Sequence, residues 1–376
     1  MYDLLIADAL LYDGTGAPPV EGGIAIQGER IAAVGPEVRG PARRSLKAAG
    51  YAAAPGFVDI HSHSDYHLLL APEAASSLLQ GVTLEVGGNC GYAAAPIAGP
   101  WQREREVTYR EVYGLPLGFS GVAEYFARLR EAQIGINFAL LMGHNTIRGS
   151  ILGGANRAPT REEAARMADL ARRGMAEGAV GLSTGLVYAP ACFAKPEELT
   201  ALAAVVRAAG GILTAHIRSE GDGLLEALEE ILGVAEAAAI PLQVSHLKTS
   251  GEKNWGKLPQ AFALIEGAQA RGLTVRCDRY PYTAANTGLS ACLPSWALEG
   301  GRDAQVARLR DPAVRERLAG ELSSQGKTGP YWDRVMIAEV VSPGSKQFEG
   351  LRVSQAAAAA GQAPLPFVLE LLVAEK

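Results

Sequence analysis

Cysteine is scarce in this chain. The 376 residues hold four, Cys90, Cys192, Cys277 and Cys292, far apart and never in a C-x-x-C pair. A disulfide framework is therefore not expected in a chain of this size. Long apolar runs are missing as well: none approaches the ~20 residues that span a bilayer. The start, Met1-Tyr2-Asp3-Leu4-Leu5-Ile6, has no basic n-region or cleavage site, so no export signal is visible. The net charge of −5 offers no positive excess for nucleic acid or an anionic membrane. Together these absences lead to the expectation of a soluble cytoplasmic protein. With 48% apolar and 20% charged residues, the chain can form a sizeable core. Its length suits one large α/β barrel with a smaller domain.

Two rhythms divide the sequence. In residues 1–54, short apolar runs are broken by Asp13-Gly14 and Gly28-Glu29-Arg30. These are hairpin signals and predict a small antiparallel β unit. From Pro55 onward, apolar runs at 56–61, 82–88, 136–144, 179–184, 212–217, 242–247 and 274–280 read as strands. Amphipathic stretches near 161–177, 196–209, 223–238 and 258–271 read as helices, with Gly178, Gly210-Gly211 and Gly272 at their stops. Strand–helix alternation means a parallel sheet. A closed (β/α)8 barrel needs one strand more than these seven, and periodicity alone leaves an open doubly wound sheet possible. The barrel is expected over 55–282. Residues 283–350 read as an insertion, with a charged helical segment near 302–322 and a short strand from Val335 to Val341. Residues 351–376 read as a helical segment returning to the barrel, ending before any eighth strand.

The chemistry gathers at strand ends. Pro55-Gly56-Phe57-Val58-Asp59-Ile60-His61-Ser62-His63 reads as a buried strand finishing in two histidines at i, i+2, a spacing that puts both rings on one face of a strand. Cys90 follows the second strand, His216 ends the fifth and His246 ends the sixth. In a parallel barrel these tips converge on one face. Imidazole and thiolate suit Zn²⁺ best, with Mn²⁺, Co²⁺ and Fe²⁺ left open. The cysteine could bridge two ions, or a single ion could be held with some of these residues behind it. His144 also ends a predicted strand, and Asp65, Arg218 and Glu220 lie close by in sequence to the candidate ligands.

The first-strand segment through His61 and His63 resembles that of the amidohydrolase superfamily. Gly81-Val82-Thr83 with Gly88-Asn89-Cys90-Gly91 is similar to the N-acyl-D-amino-acid deacylase (D-aminoacylase) branch. So are Gly181-Leu182-Ser183-Thr184-Gly185-Leu186, Ser245-His246-Leu247-Lys248 and Tyr280-Pro281-Tyr282. The resemblance runs over essentially the whole chain. It implies a TIM-type (β/α)8 barrel, here without its eighth strand, and a small β-sandwich-like domain. It implies zinc-dependent hydrolysis of an N-acyl-D-amino acid, a small-molecule substrate. Cys90, His216 and His246 would hold the main zinc, and His61 and His63 a second, weaker one. Lys248 and Tyr280 would grip the substrate carboxylate. Two departures stand out. Asn286 occupies a place where the family has a small hydroxyl residue, and no Ser-Asp-Gly segment carrying the catalytic aspartate follows Tyr282. Asp303, Asp311 and Asp333 are given no catalytic role. The expectation is a C-terminally truncated copy, with the general base and the carboxylate-binding arginine beyond Lys376, that deacylates poorly on its own.

Other readings compete. Gly181-Leu182-Ser183-Thr184-Gly185 fits the G-x-S-x-G nucleophile elbow, but that motif needs a helix directly after the serine, and Leu186-Val187-Tyr188-Ala189-Pro190 argues for a loop. Cys90 could be a thiol nucleophile with His216 or His246 as its base. The substrate could be another acylated amine or a D-dipeptide, or the chain could be an inactive barrel fragment with a binding role. An incomplete barrel would expose unpaired strand edges. Metal count and oligomeric state are left open.

Overall fold

The computed structural model describes residues 1–375, which separate into two compact units, Met1–Val58 with Ser76–Leu84 and Asp59–Ala75 with the described residues from Glu85 onward. The first contains a five-stranded sheet of β1 (Tyr2–Leu11), β2 (Val20–Gln27), β3 (Arg30–Gly35), β4 (Ala42–Lys47) and β5 (Ala52–Ala53). β1–β2 and β2–β3 are antiparallel, joined at the two turn signals. The sheet is nonetheless mixed rather than antiparallel, because β4 and β5 both run parallel to β1. β3 and β4 lie on opposite sides of the β2–β1 pair, so their connection must cross over instead of turning back.

Most of a seven-stranded sheet whose order follows the sequence lies in the larger unit. The strands of this sheet are β6 (Phe57–Asp59), β7 (Val82–Gly87), β8 (Asn137–Gly143), β9 (Gly181–Gly185), β10 (Ile212–His216), β11 (Leu242–Val244) and β12 (Val275–Cys277). The registers from β8 to β12 are all parallel. Each strand falls within its predicted span except β9, which runs one residue past it, and helices Arg161–Ala176, Pro196–Ala208, Leu224–Ala238 and Leu258–Ala270 fall where periodicity puts them. Sequential parallel strands with intervening helices are the TIM-barrel plan, with seven strands among the described residues. The strands are apolar where they are covered: Leu140, Leu141, Leu182, Leu213, Ala215 and Val244 expose no surface.

Several elements depart from expectation. β6 is an edge strand, and Phe57 and Val58 are exposed rather than buried. Helices Gly99–Tyr113 and Val122–Glu131 fill the long β7–β8 connection. His144 opens the helix His144–Leu152 instead of ending a strand. Val335–Val341 forms no strand, only an isolated bridge from Met336 to Arg352. Its apolar residues Ile337 and Val340 instead pack with Trp332, Val353, Phe367 and Val368 in a helical cluster. Among the described residues no single helix is long and apolar enough to cross a membrane.

A buried ionic network ties this scaffold together. His144 and Arg148 expose no side-chain surface and both reach Glu198 on the helix Pro196–Ala208. His144 Nε2 donates to Glu198 Oε1 at 2.9 Å, and Nδ1 meets the Thr184 hydroxyl of β9 at 2.9 Å. Arg148 also donates to the carbonyl of Arg157 at 2.6 Å. Glu198→Gln leaves a buried guanidinium without its counter-charge and is expected to cost roughly 3–5 kcal/mol, read from the urea midpoint. A loss under ~1 kcal/mol would mean that water compensates Arg148.

Candidate metal centre

The site is assembled by one turn. In Gly87-Gly88-Asn89-Cys90-Gly91, directly after β7, Gly88 and Gly91 have φ of +76° and +82°. A side chain at Gly88 would overlap the Leu141 carbonyl, and one at Gly91 the amide oxygen of Asn145, so both positions require glycine. Between them Cys90 itself takes φ +52°, uncommon for a side-chain-bearing residue. The buried Asn89 amide donates to the Val86 carbonyl at 2.8 Å and reaches those of Ile60 and Ser62 at 3.3 and 3.4 Å. Its oxygen accepts from Thr214 on β10 at 3.4 Å. One side chain thus connects the ends of three strands.

Around this turn the predicted residues meet. Cys90 Sγ lies 3.4 Å from His61 Nε2 and 3.5 Å from His246 Nε2. The ring of His216 sits edge-on to His246, centroids 4.4 Å apart. Among the described residues two trios have donor atoms all within 4.8 Å of one another: His61, Cys90 and His246, and His216, Glu220 and His246. The resemblance grouped His216 with Cys90 and His246. The geometry joins His61 to that pair and brings in Glu220. His61 and His63 both lie past the end of β6, so strand alternation does not align them. His63 is exposed, 5.4 Å ring to ring from His61, and outside both trios.

Two carboxylates stand behind the imidazoles. Asp278, just beyond β12, places Oδ1 3.2 Å from His61 Nδ1 and accepts the His246 backbone N–H at 2.6 Å. Its other oxygen accepts from Gln243 at 2.8 Å. Glu220 Oε1 lies 2.7 Å from His246 Nδ1 and accepts from the Lys248 ammonium. A carboxylate only accepts, so a proton on His61 Nδ1 would face Asp278 and leave its Nε2 toward Cys90, whereas His246 Nδ1 stands between the Glu220 carboxylate and the Lys248 ammonium. Asp278 was not foreseen, and Glu220 only as a neighbour. Their signal is position: one follows a strand tip, the other lies four residues past His216.

The electrostatics suit a cation. Burial pushes the Cys90 thiol up to about 12, with Glu220 and Asp278 adding to the effect. Such a thiol is no ready nucleophile, but a cation beside it would supply the charge that ionises it. Burial pushes His216 down to about 3, which keeps it neutral with one ring-nitrogen lone pair free. Its buried Nδ1 has no partner. Burial works against the charge of Glu220, yet His246, His216 and Lys248 hold its pKa at about 2. One sulfur with several imidazoles is a donor set that fits zinc or a similar ion.

The remaining candidates fall in three groups. Lys248 stands 2.9 Å from His246 Nδ1 and 5.5 Å from the Tyr280 ring centroid. It reaches the centre from the loop after β11. Asn286 is exposed, while the next residue, Thr287, puts its hydroxyl 2.8 Å from Tyr188, whose ring is edge-on to His216. Asp65 accepts from the Ala94 amide at 2.7 Å and Arg218 pairs with Glu230, so both brace neighbouring loops. Asp311 caps the helix Pro312–Ser324.

A model described as the amidohydrolase family matches residues 47–334. D-aminoacylase of Alcaligenes xylosoxydans xylosoxydans is 38% identical over 288 residues, covering 77% of this chain. The chain spans 59% of the length of that relative. The structure of N-acyl-D-glutamate deacylase from Bordetella bronchiseptica, complexed with zinc and a phosphonate mimic of the tetrahedral intermediate, superposes with TM-score 0.82 and 31% identity. It is matched over 98% of this chain and 70% of its own. A D-aminoacylase structure described by its binuclear metal center gives TM-score 0.79 and 30% identity over 99% of this chain and 70% of that one.

Removing a carboxylate behind a ligand leaves the ligand in place but loosens it. Asp278→Asn is therefore expected to weaken the hold on a divalent ion by about 10- to 100-fold, measured against a competing chelator. Unchanged affinity would take Asp278 out of the centre.

Proposed function

The chain belongs to the amidohydrolase family, and from that premise we propose that its strand-tip centre serves the zinc-dependent hydrolysis of N-acyl-D-amino acids to a carboxylate and a free D-amino acid. The observation that carries this reading is the meeting of Cys90 with His61, His216 and His246 beside a half-buried ammonium, Lys248. The relatives named D-aminoacylase and N-acyl-D-glutamate deacylase support it.

Cys90 and His246, with His61, His216 or both, would hold one or two ions. A bound ion supplies a water of lowered pKa and polarises the amide carbonyl. The rest falls to the chain. Asp278 and Glu220 orient the imidazoles from behind. Lys248 presents a point charge to the substrate carboxylate, which asks for no special geometry. Tyr280, whose ring lies 6.4 Å from that of His246, flanks the same position. The aspartate that would carry the proton to the leaving amine is not assigned to any of these residues.

Calorimetry on zinc-loaded protein should register N-acetyl-D-amino acids, apolar and acidic, and little response to the L-enantiomers. Lys248→Met should lower the affinity at least tenfold, the worth of one charge-assisted contact. Equal binding of both enantiomers, or no effect at Lys248, would count against the reading. Release of free amine by loaded protein, lost on chelation, tests the reaction itself.

A further inference from the structure

The G-x-S-x-G segment has no part in the chemistry above. Ser183, at its centre, lies in β9 with no exposed surface, out of reach of any substrate. Its hydroxyl is committed on both sides. It accepts the N–H of Gly91 at 2.9 Å and donates to the carbonyl of Gly88. These two backbone groups bracket Asn89 and Cys90, so a single oxygen closes the turn from both ends. The turn needs closing, because Cys90 holds a left-handed backbone that persists only where surroundings over-determine it.

Neighbouring contacts make β9 a platform for this turn. Asn145 accepts the Gly185 N–H at 3.1 Å, and the Thr146 N–H donates to the Gly91 carbonyl at 3.1 Å. A side chain at Gly185 would overlap the Cys90 carbonyl, so strand and turn are in close apposition. Without the Ser183 hydroxyl, the Gly91 N–H and the Gly88 carbonyl would both lose a partner in a setting closed to water.

We propose that Ser183 is a positioning residue for the metal centre: its hydroxyl clamps the Gly88–Gly91 turn and so sets where Cys90 Sγ stands against His61 and His246. The pattern that resembles a nucleophile elbow acts on a backbone. This inference rests on the metal-centre reading of the proposed function.

The test uses cobalt(II) as probe. Ser183→Ala should bind cobalt at least tenfold more weakly than wild type, by chelator competition, and lose intensity in the thiolate-to-cobalt absorption. Leu371→Ala, which opens the distant cluster around Trp332 and Phe367, lowers stability without touching the turn and should leave both readouts unchanged. Wild-type affinity and spectrum in Ser183→Ala would overturn the proposal, as would an equal loss in Leu371→Ala. Should Ser183→Ala fail to fold, hydrogen exchange of metal-free wild type decides. A protected Gly91 amide supports the clamp, and exchange as fast as in an exposed loop overturns it. Wild type that takes up no cobalt defeats the metal-centre reading, and the exchange result then judges the clamp on its own.

Discussion

Charge balance among buried groups governs this molecule. Glu220, Asp278 and the Cys90 sulfur share a small volume with three imidazoles and one ammonium. Two carboxylates there are tolerable because Glu220 meets the Lys248 ammonium and Asp278 accepts from the His246 backbone and Gln243. The parallel sheet makes the gathering possible. All its strands from β8 to β12 point one way, so residues remote in sequence arrive at one edge. The two facts depend on each other: the sheet brings the groups together, and their mutual compensation allows the sheet to end in polar residues.

Much of this was legible beforehand, for physical reasons that differ by element. The strands from Asn137–Gly143 onward are short apolar runs set off by glycine, and their neighbours carry a helical period, so both showed plainly. Gly178, Gly210 and Gly272 stop helices with positive φ, as their positions imply. The helix Gly99–Tyr113 was not visible because it buries no residue completely and its polar sequence gives no stripe to read. His144–Leu152 hid for the opposite reason. Nearly all of it is buried, including His144, Asn145 and Arg148, so it lacks a solvated face. Val335–Val341 has the composition of a strand but no adjacent strand to pair with, and tertiary packing decided its form.

The centre divides in the same way. Imidazole and thiol are rare enough in this sequence that their recurrence at strand ends stood out. Carboxylates are common, and position alone does not single out Asp278 or Glu220 among forty acidic residues. Only coordinates show which two stand behind ligands. The same holds for Asn89, whose amide joins the loop of His61, the turn of Cys90 and the strand of His216 through contacts spanning up to 125 positions. Ser183 is the reverse case: its motif was conspicuous, and its surroundings give it another meaning.

The pairing of Lys248 with Glu220 has a further consequence. The ammonium already has an internal anion. Under the proposed function, an arriving carboxylate would therefore compete with a tethered one, and that one, Glu220, also lies against His246 and His216. A neutral visitor would bring nothing to exchange.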